Sequence, residues 1–134
     1  MISKKTEIAF IVFAFFVMIS WEVYVNFFAS QATIRFITQY QIDKLVHALG
    51  GAFIVVIVNI LFGQTRFAVA FSVIIAVSVF WEALELLLDP QVAYFFGKSK
   101  VLWLEDSVGD LAAAVIGAWA FWRFFYPITR RPLG

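Results

Sequence analysis

The sequence contains no cysteine, a single histidine and few charged residues, and each of these shortages narrows what the protein can do. Without cysteine the chain has no disulfide and no thiolate ligand, so a metal site would use nitrogen and oxygen atoms. Charged residues make up 14% of the 134, and the net charge is +1. That balance provides no basic surface for phosphates, and we therefore expect no nucleic-acid partner.

Apolar residues, in contrast, make up 63% of the chain, and the mean hydropathy is +0.93. Both values lie well outside the range of ordinary soluble domains. Four apolar segments are long enough, at about 1.5 Å per residue, to cross a hydrocarbon core of about 30 Å. They cover residues 8–29, 45–62, 67–88 and 107–126. The predicted fold class is an all-α integral membrane protein, with residues 1–134 forming one domain of four transmembrane helices.

Two connecting segments, residues 30–41 and 90–104, carry too many apolar side chains for free loops. Their composition is typical of helices that lie on the membrane surface. Lysine and arginine in short loops set the orientation, and more of them fall on the side of the two termini. We therefore expect both termini in the cytoplasm and the two interfacial segments on the outer side.

The acidic residues collect in the outer half of the predicted bundle. Of nine acidic residues, only Glu7 falls near the cytoplasmic end, whereas Glu22 lies about 22 Å farther along the first helix. A carboxylate inside a membrane is costly and by default indicates a functional site. The candidate metal ligands are Asp43, His47, Glu82, Glu85, Asp106 and Asp110, with Glu22 and Asn26 as further pocket residues.

Some of these residues also have simpler interpretations. Asp43 and Asp106 lie at the starts of predicted helices, where a carboxylate can cap the helix and interact with its dipole. A lone histidine such as His47 is more often a hydrogen-bonded structural residue than a ligand. Glu82, Glu85 and Asp110 lie too far inside their helices to act as caps, so they are the stronger candidates.

One histidine among several carboxylates can bind a divalent metal ion, and the sequence does not distinguish Zn, Mn, Fe or Mg. A metal ion could activate water against an ester or phosphoester bond. This hypothesis describes a hydrolase or transferase acting on a membrane lipid or lipid-linked headgroup, with Glu82, Glu85 and Asp110 as candidate catalytic residues. Two alternatives stay open: a proton- or cation-coupled carrier that uses the same carboxylates, and a non-catalytic membrane accessory subunit.

Three short motifs resemble those of the VanZ-like membrane proteins, and most closely their YjdF-like relatives. They are Asp-x3-His at residues 43–47, Trp-Glu-x2-Glu at 81–85, and Asp-x3-Asp at 106–110 followed by a helix containing Gly117. The resemblance implies a small multi-pass protein of a prokaryotic cell envelope, located in the plasma membrane. It also implies that these acidic residues and His47 are functional positions, without indicating a substrate. In VanZ itself the second glutamate is a glutamine, and an arginine missing here precedes the last motif.

Overall fold

The computed structural model describes residues 3–63, 67–88 and 99–126. Within these ranges the chain forms five α-helices: α1 (Lys4–Phe27), α2 (Gln31–Tyr40), α3 (Asp43–Phe62), α4 (Phe67–Leu88) and α5 (Lys100–Phe125). All except α2 are long and apolar enough to cross a membrane. The all-α class and the four long helices predicted from the sequence are therefore confirmed.

Helix α5 begins earlier than its apolar run suggested. Ser99 precedes the helix, and its hydroxyl accepts a hydrogen bond from the backbone N–H of Leu102, which satisfies a donor of the first turn. Residues 100–104, predicted to belong to a surface segment, are therefore the first residues of α5. Residues 90–98 of that segment lie outside the described ranges. Because Asp106 is seven residues into α5, its interpretation as a helix cap was also wrong.

The other predicted surface segment contains α2, which ends in a turn that leads directly into α3. Gln41 adopts the left-handed conformation with φ of 53°, and the N–H of Ile42 donates to the carbonyl of Ile37 at 3.1 Å. This is the hydrogen-bond pattern of a Schellman C-cap. Asp43 is the first residue of α3, and no side chain caps this helix, so Asp43 is not a cap, although its carboxylate lies where it interacts favourably with the helix dipole.

Helices α3 and α5 form the closest contact in the molecule. A Cβ atom built on Gly51 would lie 1.9 Å from the carbonyl oxygen of Ala114, and one built on Gly117 would lie 2.0 Å from that of Ala48. Glycine at both positions lets the two backbones touch, as small residues commonly do between membrane helices. The two helices run in the same direction, since the start of α3 contacts the first half of α5.

The apolar core lies toward the other end of this helix pair, where α4 completes the packing. Its buried residues are Val55, Val58, Ala70, Ile74, Ala114 and Ala118. Helix α1 packs less extensively, and most of its apolar side chains are exposed. It contacts α5 through Phe10 and Phe121, whose ring centroids are 4.6 Å apart. The core is therefore separate from the acidic residues at the start of α3 and in the first half of α5.

Candidate functional site

Lys44 lies at the centre of a polar cluster between α3 and α5. Its Nζ donates hydrogen bonds to Oδ1 of Asp106 at 2.7 Å and to Oδ1 of Asp110 at 2.6 Å. The same ammonium lies 3.5 Å from Oδ2 of Asp43. Asp106 and Asp110 are one turn apart on one face of α5, so a single lysine reaches both. Lys44 was not among the site residues predicted from the sequence.

His47, Asp43 and Asp110 form the part of this cluster that resembles a metal site. Each offers one ligand atom, and the three atoms lie within 4.8 Å of one another. His47 Nε2 is 3.4 Å from Asp110 Oδ1, and Asp110 is only 3% exposed. Within the described residues, no other group of three or more histidine, aspartate or glutamate side chains meets this spacing. The structure thus brings together three of the six predicted ligands.

One oxygen atom in this group lacks a partner. Oδ1 of Asp43 is buried and makes no hydrogen bond. A buried carboxylate oxygen without a partner is unfavourable by about 1–3 kcal/mol, and such atoms often mark the position of a bound ion or water. Asp43, one of the three residues of the group, therefore has a carboxylate oxygen available to a ligand.

Glu82 and Glu85 lie on α4 and have partners of their own. Oε2 of Glu82 accepts a hydrogen bond from the hydroxyl of Ser107 on α5 at 2.6 Å, and the Glu82 residue is 9% exposed. Oε1 of Glu85 accepts from the indole N–H of Trp81 at 2.5 Å. Sequence reasoning found both glutamates but not the serine and tryptophan that hold them. Neither glutamate belongs to the compact group around His47.

The predicted pocket residues of α1 approach the same end of the bundle. The side chain of Asn26 donates to Oε2 of Glu22 at 3.3 Å and to its carbonyl at 3.0 Å. Glu85 lies close enough to Glu22, Glu82 and Asp110 to interact with the charge of each. Acidic groups from α1, α4 and α5 therefore gather beside the cluster around Lys44.

This end of the molecule holds more acidic than basic groups. The carboxyl groups of Asp43, Asp106 and Asp110 lie around Lys44 and His47, and Glu85 interacts electrostatically with Glu82, Glu22 and Asp110. Carboxylates brought this close repel one another when all are ionised, and Lys44 supplies one compensating charge.

A second polar cluster lies at the opposite end of the helices and contains the one acidic residue predicted there. Oε1 of Glu7 accepts hydrogen bonds from the side-chain amide of Asn59 at 2.8 Å and from the hydroxyl of Tyr126 at 2.6 Å. Glu7 is only 5% exposed. Burial, the hydrogen bond to Glu7 and the charge of Glu7 raise the pKa of the Tyr126 phenol well above its ordinary value. Sequence analysis placed Glu7 at this end but did not predict the cluster, which Asn59, a polar residue within an apolar run, could have indicated.

No protein-family model, curated protein or solved structure matches this chain. The resemblance to the VanZ-like proteins therefore stays a prediction. The four long apolar helices indicate a membrane protein, and the Asp43, His47 and Asp110 group is a possible metal site.

Proposed function

We propose that this is an integral membrane protein that binds a divalent cation through Asp43, His47 and Asp110. The observation that carries the proposal is the unpartnered Oδ1 of Asp43, a buried oxygen in a group whose ligand atoms lie within 4.8 Å of one another. A cation bound there would interact with this oxygen atom, which otherwise has no partner. It would also balance part of the negative charge that Lys44 leaves uncompensated.

The donor set fits this proposal. One imidazole nitrogen and two carboxylate oxygens suit Zn, Mn or Fe, and three protein ligands leave coordination positions for water or substrate. A cation held in this way supplies Lewis-acid chemistry at an ester or phosphoester. We therefore propose a hydrolase or transferase, in which Glu82 and Glu85, gathered beside the cation site, are candidates for moving protons.

The placement of the cluster supports a lipid or lipid-linked headgroup as substrate. Asp43 begins α3 and His47 lies in its second turn, so these two proposed ligands are near a helix end, whereas Asp110, eleven residues into α5, lies near the middle of its helix. Bilayer headgroups lie at the depth of the helix ends. Helix α2, which immediately precedes the cluster, places apolar side chains on one face and Arg35 among polar ones on the other, as helices at a membrane surface do.

We further propose that the cluster faces the outer side of a prokaryotic plasma membrane, with both termini in the cytoplasm. The distribution of lysine and arginine supports this orientation. Because the chain lacks cysteine, single cysteines can be introduced without a background. An impermeant thiol reagent added to intact cells should label Gln39→Cys, in α2, and spare Gln64→Cys, between α3 and α4. The reverse pattern would invert the orientation.

Metal analysis of the purified protein tests the cation site. Wild-type protein incubated with Zn²⁺ or Mn²⁺ and then desalted should retain about one ion per chain. His47→Gln and Asp110→Asn should lose it. Glu105→Gln is the matched control, because Glu105 is an exposed carboxylate of α5 and its removal should leave the metal content unchanged. Equal metal content in all four proteins would contradict the site.

Activity is tested by incubating the metal-loaded protein with extracted membrane lipids and following the lipids by mass spectrometry. A metal-dependent product that disappears in Asp110→Asn supports the hydrolase or transferase.

The carrier alternative has less support, because the core between the two polar ends is built from buried valine, isoleucine and alanine. A folded protein that binds no metal and changes no lipid would favour the accessory subunit.

A further inference from the structure

We infer that Lys44 is a tethered competitor for the cation site, which sets the affinity of the site and its preference for divalent over monovalent cations. The inference rests on the proposed cation site. Its basis is that Lys44 bonds to Oδ1 of Asp110, the oxygen atom that also lies near Nε2 of His47.

Lys44 lies close to two of the three proposed ligand residues. Oδ1 of Asp110 accepts a hydrogen bond from Lys44 at 2.6 Å, and the same oxygen lies 3.4 Å from His47 Nε2. The ammonium is also 3.5 Å from Asp43, so it approaches two of the three ligand residues. A cation bound to Asp110 at about 2.0–2.6 Å would lie within about 5 Å of the ammonium unless Lys44 moved. At that distance two positive charges repel strongly in a poorly solvated site.

Lys44 has a second position available when it leaves Asp110. Its ammonium also bonds to Oδ1 of Asp106 at 2.7 Å and lies 3.3 Å from the carbonyl oxygen of Asp106. These two acceptors remain after Asp110 is released. The lysine can therefore withdraw by a short distance and stay paired, so its displacement does not leave an unpartnered buried charge.

The space for the lysine chain is provided by a glycine on the facing helix. A Cβ atom built on Gly109 would lie 2.9 Å from Cε of Lys44. Any side chain at position 109 would therefore push the ammonium away from its present position. Gly109 offers a way to disturb Lys44 without altering any of the three proposed ligands.

The charge of Lys44 determines the preference of the site for divalent over monovalent cations. Without a metal ion, the ammonium neutralises one charge of the acidic cluster. A monovalent cation would replace one positive charge by another and gain little, whereas a divalent cation interacts about twice as strongly with the same carboxylates. The site should therefore discriminate against Na⁺ and K⁺ as long as Lys44 is present.

The test is Mn²⁺ binding to the purified full-length protein in detergent, measured by electron paramagnetic resonance of the free ion. Lys44→Gln should bind Mn²⁺ at least about tenfold more tightly than wild type, because a like charge has been removed. Gly109→Ala leaves all three proposed ligands intact and should also bind Mn²⁺ more tightly than wild type. Lys100→Gln is the control, because Lys100 is an exposed lysine at the start of α5.

Two further measurements address competition itself. Methylammonium added to Lys44→Ala should weaken Mn²⁺ binding, since it can occupy the vacated position, and should affect wild type less. Na⁺ should compete with Mn²⁺ more effectively in Lys44→Gln than in wild type. Should the Lys44 variants fail to fold, Gly109→Ala decides the question.

The possible failures are distinguishable. If neither wild type nor any variant binds Mn²⁺ or Zn²⁺, the proposed cation site itself is wrong. If wild type binds and both Lys44→Gln and Gly109→Ala bind equally well or more weakly, the site stands and the competition is refuted. In that case Lys44 holds Asp106 and Asp110 in place for the metal.

Discussion

Adjacent glycines on α3 allow a controlled test of the helix contact that positions the site. Gly51 faces α5, where a Cβ atom would meet three backbone atoms of Ala114 at 1.9, 2.6 and 2.9 Å. Gly50, one residue earlier, has only Met18 Sδ at 3.7 Å, an ordinary van der Waals contact. Alanine at position 51 therefore requires the two backbones to separate by more than 1 Å, whereas alanine at position 50 requires no movement.

Both substitutions also change helix propensity, and by the same amount. Replacing glycine by alanine within a helix contributes up to about 1 kcal/mol of stability through helix propensity. Gly50→Ala should therefore leave stability unchanged or raise it by up to about 1 kcal/mol. Gly51→Ala gains the same amount but incurs an overpacking cost of about 3 kcal/mol, because a backbone atom cannot rotate away as a side chain can. We expect Gly51→Ala to be about 2–3 kcal/mol less stable than Gly50→Ala.

Thermal and denaturant unfolding in a mild detergent, followed by circular dichroism, measure this difference. Because Gly51 lies one turn beyond His47, Gly51→Ala should also weaken cation binding, and Gly50→Ala should not. Equal stability of the two variants would refute the close packing of α3 on α5, and with it the geometry of the site.

Three further predictions concern polar contacts outside the Asp43, His47 and Asp110 group. Ser107→Ala removes the donor to the buried Glu82 and should destabilise the protein by about 1.5–3 kcal/mol, whereas the same change made in Glu82→Gln should cost less in a double-mutant cycle. Tyr126→Phe should lower stability by about 1–3 kcal/mol, since Glu7 loses a donor. The raised pKa of Tyr126 means that this difference is complete below pH of about 10 and shrinks as the pH rises further, which unfolding curves at several pH values would show. Gln41→Gly should be more stable than Gln41→Val by about 1–2 kcal/mol, because Gln41 has a positive φ that a β-branched residue resists; equal melting temperatures would contradict this.

Much of the fold could be predicted from the sequence, because the hydrophobic character of a whole segment, not of single residues, determines the long helices. An apolar run of about twenty residues has few alternatives to a membrane-spanning helix, so the four long helices were predictable. The cost of a carboxylate inside a membrane likewise made Glu82, Glu85 and Asp110 recognisable as a group. Helix α4 has the predicted bounds of residues 67–88.

Which side chains meet across the helices was harder to predict, because it depends on helix rotation and on how closely the backbones approach. Asp106 and Asp110 share a face, but nothing in their spacing shows that Lys44 reaches both of them. The hydrogen bond between Ser107 and Glu82 joins residues 25 positions apart, and it too depends on how the two helices are rotated. The start of α5 was misplaced because one hydroxyl, that of Ser99, outweighed the apolar pattern used to place it.

We propose that a divalent cation is coordinated by His47 together with Asp43 and Asp110. The chain contains a single histidine, so any imidazole signal from a bound metal ion can come only from that residue. Pulsed electron paramagnetic resonance of Mn²⁺ bound to untagged protein, labelled with ¹⁵N at histidine, measures this coordination directly. We predict one ¹⁵N coupling in wild type that disappears in His47→Gln and survives in Glu105→Gln. Stoichiometric Mn²⁺ without any histidine coupling would contradict the proposed site.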